Sequence, residues 1–258
     1  MSQRIFKKPE EIPMFKQFWN QAKSSEEEGH RFFQEARYQI AAENHSKAAE
    51  LFKKALEFVD PKDEELRKRT LGNYQIELAN SYQSLATYHF YRGEKDLALT
   101  NFQGAIREQK VVIQEYEATK DKKKFANELI LLKIGLYFYS AYENICLAQM
   151  EFFKEQYRKA IEFFKIAEIH TNLELDFVTQ IQDFERSKRT QARCYYIRGQ
   201  VLRCEALTAM QEGNRTEAKE KYLEASHHFE DASNLHPGWK ENKELSEKSK
   251  RMALAIKE

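Results

Sequence analysis

An all-α chain of antiparallel helical hairpins is predicted by three observations. Gly 8 and Pro 4 in 258 residues leave few breakers for the turn-rich connections of β or α/β folds. Apolar residues recur at intervals of three and four along nearly the whole length, the period of one helix face. A spaced pattern also returns four times: Ala36, Ala48, Phe52, Ala55; Ala86, Ala98, Phe102, Ala105; Ala148, Ala160, Phe164, Ala167; and Ala206, Ala218, Tyr222, Ala225. Small residues at these offsets let two antiparallel helices approach closely, and the aromatic ring fills the gap beside them.

Taken in order, the chain opens with an extended arm around Pro9 and Pro13, followed by a short helix, about 9–22, whose apolar stripe is Phe15, Phe18 and Trp19. Helices are then expected at about 24–43, 46–59, 63–92, 95–118, 122–153, 156–173, 176–212, 215–235 and 239–257, about ten in all. Asp60, Pro61, Gly93, Gly213, Pro237 and Gly238 punctuate their ends. The stretch Leu129–Met150 is the most apolar, but it carries Lys133, Glu143 and Asn144. It therefore reads as a helix central to a soluble core, not a membrane span. The last helix carries a thin seam of Leu245, Met252 and Ile256 under a Lys- and Glu-rich face, the composition of a cap.

Composition excludes several classes. With 41% hydrophobic and 13% aromatic residues the chain is globular, and Lys+Arg 42 against Asp+Glu 41 gives no net field toward nucleic acid or an anionic membrane. Cys146, Cys194 and Cys204 never fall in a C-x-x-C arrangement and suit reduced thiols in a cytoplasmic core. Acidic residues after Pro9 interrupt the N-terminus before an apolar signal-peptide region forms.

The repeated pattern, with Gly93 and Gly213 five residues before the second Ala, resembles the tetratricopeptide repeat over about residues 24–237. Leu85-Ala86 and Leu147-Ala148 match the family's Leu-Gly step, and Pro61 and Pro237 close helix pairs where its proline stands. Its tryptophan position holds Phe32, Tyr82, Asn144 and Leu202 instead. The copies are also far apart, 50, 62 and 58 residues between Ala48, Ala98, Ala160 and Ala218, against about 34 in the family. The surplus keeps helical periodicity and so lengthens the helices. The expected organisation is an arm and short helix over 1–22, a tetratricopeptide-like array of four hairpins over 23–237, and a capping helix over 238–258. The resemblance implies a right-handed superhelix in which the first helix of each pair lines a concave groove.

Carried over by position, that stripe contains His30, Phe33 and Arg37; Asn73, Asn80, Gln83 and Thr87; Phe138, Tyr142, Ile145 and Gln149; and Arg189, Arg193, Tyr196, Gln200 and Arg203. The last five step by four and three along one helix face, interleaving three guanidiniums with a phenol and an amide. Such a face can grip carboxylates or phosphates by forked hydrogen bonds beside an apolar wall of Phe138 and Tyr142. The alternative reading of the same residues is a solvated charged face over ordinary core, since Asp183, Glu185 and Glu205 are close in sequence. Phe33 and Arg37 stand where a chaperone-tail clamp would need Lys and Asn, which disfavours that partner.

Chemistry has no visible site. E-x-x-H occurs at Glu27–His30 and Glu224–His227, the spacing used by carboxylate-bridged metal bundles. On the helix 215–235, however, His227 points away from the face formed by Ala218, Tyr222, Ala225, Phe229 and Ala232. No H-E-x-x-H, G-x-S-x-G or phosphate-cradling loop is present. The function expected is therefore a non-enzymatic cytoplasmic adaptor or scaffold, with no cofactor and no metal, that holds a protein or peptide partner. RNA binding through Arg189, Arg193, Arg203 and Tyr196 is the second reading. Self-association through an apolar arm of Ile5, Phe6, Ile12 and Met14 is the third.

Overall fold

The computed structural model of the chain describes residues 11–119 and 125–256, and these form nine helices and no strand. They are α1 (Glu11–Gln34), α2 (Tyr38–Leu56), α3 (Glu64–Tyr91), α4 (Lys95–Glu117), α5 (Ala126–Phe153), α6 (Tyr157–Gln180), α7 (Phe184–Gln211), α8 (Arg215–Leu235) and α9 (Lys240–Ala255). By its internal packing the chain divides into two units, Met1–Leu132 and Lys133–Glu258, with the division falling inside α5. Among the described residues, no helix is long and apolar enough to cross a membrane.

In the first unit each of α1, α2 and α3 packs on the next helix in the chain. The predicted stripe of Phe15, Phe18 and Trp19 does meet α2 and the turn after it: Trp19 lies edge-on to Phe52 at 5.2 Å, and Phe18 stacks on Phe58, just beyond the end of α2, at 5.7 Å. Two expectations fail here. The break anticipated between 9–22 and 24–43 is absent, since one helix, α1, takes in Pro13 and runs to Gln34, and the helix anticipated to continue to 43 is interrupted, with residues 38–43 belonging to α2. A proline this close to a helix start loses no hydrogen bond, because the first N–H groups have no intrahelical partner. The turn that follows is Glu35–Arg37. Ile5 and Phe6 of the expected arm lie outside the described residues.

The second unit holds the rest of α5 and α6–α9, and α6, α7 and α8 each pack on the following helix. The anticipated face of α8 is found, with Ala218, Tyr222, Ala225, Phe229 and Ala232 all buried. The expected seam of α9 is found in part: Leu245 and Ile256 are half-buried, and Ile256 packs against the cluster of Ala206, Tyr222 and Ala253. Met252 is 40% exposed, and the buried row is Asn242, Ser246, Ser249 and Ala253. Small side chains let α9 sit close on α8, where Ser246 and Ser226 share a hydroxyl hydrogen bond of 3.0 Å.

One register governs four of the hairpin turns. Each contains a residue with left-handed backbone: Ala36 (φ 58°), Gly93 (78°), Glu155 (59°) and Gly213 (80°). Counted from these, a small residue lies seven before (Gly29, Ala86, Ala148, Ala206) and an Ala five after (Ala41, Ala98, Ala160, Ala218). A ring lies nine after (His45, Phe102, Phe164, Tyr222), and another Ala twelve after (Ala48, Ala105, Ala167, Ala225). The last three copies match the sequence reading. The first copy in the structure begins seven residues earlier than the sequence pattern places it, because seven residues are nearly two helical turns and bring a similar face round again. Ala36 is thus an exposed turn residue, not a groove-helix alanine. With the copy moved to Ala41, the interval to Ala98 becomes 57 residues and stands beside 62 and 58.

A left-handed alanine is strained by its Cβ at about 1–2 kcal/mol, whereas glycine gives back only about 0.4–1 kcal/mol through the unfolded chain. Ala36→Gly is therefore expected to raise stability by about 0.5–1 kcal/mol in urea unfolding. A loss would mean that the turn does not hold this conformation.

Candidate functional site

The stripe selected on α5 and α7 is brought together in the second unit, but largely as mutual partners. Arg193 is 4% exposed and its guanidinium is paired with the carboxylate of Glu174 on α6, itself 1% exposed. Thr190 donates to the same carboxylate at 3.2 Å, and Arg186 Nε stands 3.8 Å from it. The Arg193 guanidinium also faces the Phe138 ring at 4.9 Å and the Tyr142 ring at 5.3 Å. Burial pushes the Tyr142 phenol above its ordinary pKa, and Arg193 opposes that rise. A guanidinium enclosed by two rings and a carboxylate is an internal tie between α5, α6 and α7. The sequence reading, which presented it to a ligand, is corrected here, because the opposing acid lies on a different helix from those it counted.

Further along the two helices, Gln149 donates to the Tyr196 hydroxyl at 3.1 Å, and Tyr196 and Gln200 are both buried. Burial raises the Tyr196 phenol well above its ordinary pKa. Arg203 donates to Gln200 at 2.9 Å and covers the Phe152 ring at 5.3 Å, staying half-exposed. Arg189 is the exposed guanidinium of the row, with only a long contact of 3.4 Å to the Glu185 carbonyl. The face that solvent meets is therefore Arg189, Arg203, Gln149 and the half-buried rings of Phe138 and Tyr142.

The remaining selected residues belong to the first unit. Arg37 is in the α1–α2 turn, exposed, 3.4 Å from Glu35 and over the Phe32 ring at 4.5 Å, so it lines no helix face. Gln83 is half-buried on α3. Asn80, also on α3, donates to Glu77 Oε1 at 2.9 Å, and this leads to a cluster that the sequence reading missed.

Glu77 is 2% exposed, and its other oxygen, Oε2, is 2.7 Å from Nδ1 of His45, which is 1% exposed. That contact makes Nδ1 the protonated nitrogen when the carboxylate is ionised. On α1, one helical turn apart, Glu26 and His30 turn toward the same place. Their ligating atoms and that of Glu77 all lie within 4.8 Å of one another. The rings of His30 and His45 meet edge to face at 4.9 Å. Burial, followed by the neighbouring His45, lowers the pKa of His30. The E-x-x-H spacing had nominated Glu27, which is exposed; the residue on His30's side is Glu26, four before it. The sequence did hold one signal, since sixteen residues before the turn α3 has Glu77 where α5 has Tyr139 and α7 has Ile197.

The three thiols offer no nucleophile. All are buried, and burial pushes Cys194 up to about 11 and Cys204 up to about 12. No family model matches this chain and no curated protein is significantly similar to it.

Proposed function

We propose that the chain is a non-enzymatic adaptor of tetratricopeptide-like hairpins that binds a protein or peptide segment. The observation that carries this reading is the fourfold register. One packing unit is repeated with its alanines and rings turned inward, so that sequence variation falls on the helix faces left outside, which is how repeat arrays present a binding surface. In the second unit that surface offers Arg189 and Arg203 on the same stretch of α5 and α7 as the half-buried rings of Phe138, Tyr142 and Phe152, with Arg203 over Phe152, a combination suited to an acidic segment carrying an apolar anchor. Three buried cysteines, none of them in a disulfide, favour the reducing cytoplasm as its location.

The test is affinity capture from a lysate with and without nuclease, followed by hydrogen-exchange mapping of the captured complex. A protein partner that survives nuclease, protects α5 and α7, and is lost with Arg189→Glu or Arg203→Glu supports the reading. Nuclease-sensitive capture would favour RNA, and capture indifferent to both variants would remove these guanidiniums from the site. Arg193 is unsuited to the test, because a charge reversal there would set two buried carboxylates against each other.

A further inference from the structure

We propose that Glu26, His30 and Glu77 in the first unit bind a first-row divalent cation of the Zn2+ type, with His45 and Asn80 acting as the outer partners that hold Glu77. The proposal does not rest on the adaptor reading. Its ground is the geometry of three helices: α1 supplies two ligands one turn apart, α3 supplies the third, and α2 supplies the imidazole behind it.

The Glu77 carboxylate is already desolvated and oriented. His45 Nδ1 at 2.7 Å and Asn80 Nδ2 at 2.9 Å each occupy one oxygen and leave the second lone pair of that oxygen for a cation. Glu26 and His30 lie nearer the solvent and are the adjustable partners. Metal bonds of about 2.0–2.2 Å place ligand atoms roughly 3.3–3.5 Å apart, so separations of up to 4.8 Å close by at most about 1.5 Å through rotation of these two side chains. Lys23, now 2.7 Å from Glu26, is displaced in doing so, and the cation replaces its charge. Two carboxylates neutralise a divalent ion, and water enters the remaining coordination position from the exposed side of His30. One imidazole among only three protein ligands selects against Mg2+ and Ca2+, which take six or more oxygens.

Comparison of the hairpins within the chain separates this cluster from an accident of surface charge. Where the other three carry a phenyl or phenol ring nine residues after the turn, this one carries His45, and where they carry Ala seven residues before it, this one carries Gly29. The two differences are coupled. A Cβ on Gly29 would stand 2.8 Å from the His45 ring, so the glycine is what admits the imidazole. Glu77, the carboxylate the imidazole holds, occupies a level of α3 whose counterparts in α5 and α7 are Tyr139 and Ile197. Three departures from the repeat thus converge on one buried polar point.

The experiment titrates chelator-stripped, full-length protein with Zn2+ by calorimetry and with Co2+ by visible absorption. The expected result is one equivalent bound, an absorption band of a low-coordinate Co2+ site that Zn2+ removes, a thermal midpoint raised by Zn2+, and no competition from millimolar Mg2+. Glu26→Gln and His30→Gln, both outside the core, should keep the metal-free melting curve. Each should weaken binding by more than the roughly 10–100-fold that follows loss of an outer-shell partner. The double variant Glu224→Gln/His227→Gln, at an exposed pair on α8, should bind as the parent does. Absence of stoichiometric Zn2+ binding, binding indifferent to Glu26→Gln and His30→Gln, or equal competition by Mg2+ would each overturn the proposal.

Discussion

Arg193→Ala is expected to lower the stability of the second unit by about 3 kcal/mol, the lower end of the roughly 3–5 kcal/mol that follows when one partner of a buried ion pair is removed. The charge left behind is Glu174, 1% exposed, with only the Thr190 hydroxyl at 3.2 Å and Arg186 at 3.8 Å to accommodate it. Arg186 is the reason for choosing the lower end, because its side chain is 35% exposed and can move inward. Part of the loss is packing, since the guanidinium also covers Phe138 and Tyr142. Against a typical domain stability of about 5–15 kcal/mol this is a large fraction. The double variant Arg193→Met/Glu174→Leu removes both charges and keeps the volume, and should recover most of the loss. Urea unfolding of the two singles and the double gives the coupling directly. A change below about 0.5 kcal/mol for Arg193→Ala would show that water reaches the pair and that its burial is not maintained in solution.

This pair shows how far the sequence is legible. That Arg189, Arg193, Tyr196, Gln200 and Arg203 share a face follows from steps of four and three, and the structure has them on α7. Which of them is buried depends on α6, and no local pattern announces that Glu174 will oppose Arg193 across nineteen positions. Helix ends follow the same division. The bounds of α8 (Arg215–Leu235) and the start of α4 at Lys95 were readable because Gly213 and Gly93 take the left-handed turn positions. The apolar pattern puts the boundary between α6 and α7 near 173–176, but it lies at 180–184, since its left-handed residue is Gln182, which carries no turn signature. Ala36 misled in the same way, as an alanine in a glycine's place. The Glu77 cluster stayed hidden because its members come from three helices and only the corrected register puts His45 in a ring position.

Phe229→Ala is expected to lose about 3–5 kcal/mol, the usual loss for emptying a fully buried phenylalanine site. Phe229 is 0% exposed on α8, and its ring lies directly over the backbone of α7 at Gly199, so close that a Cβ there would stand 2.7 Å from a ring carbon. Two effects compete at Gly199. Helix propensity favours alanine over glycine by about 1 kcal/mol, while overpacking against a ring that cannot retreat costs about 1–3 kcal/mol. Because the contacted atoms belong to a rigid, enclosed ring and not to the tip of a flexible chain, overpacking wins, and Gly199→Ala alone should destabilise by about 1 kcal/mol. In the Phe229→Ala background the sign reverses: the clash is gone, the added methyl occupies part of the cavity, and propensity acts unopposed. The double variant should then be more stable than Phe229→Ala by about 1 kcal/mol or more. Chemical unfolding of the four proteins completes the cycle. Stabilisation by Gly199→Ala in the parent would mean that the ring and the glycine are not in contact, and that α7 and α8 do not approach each other in the way the repeated small-residue positions require.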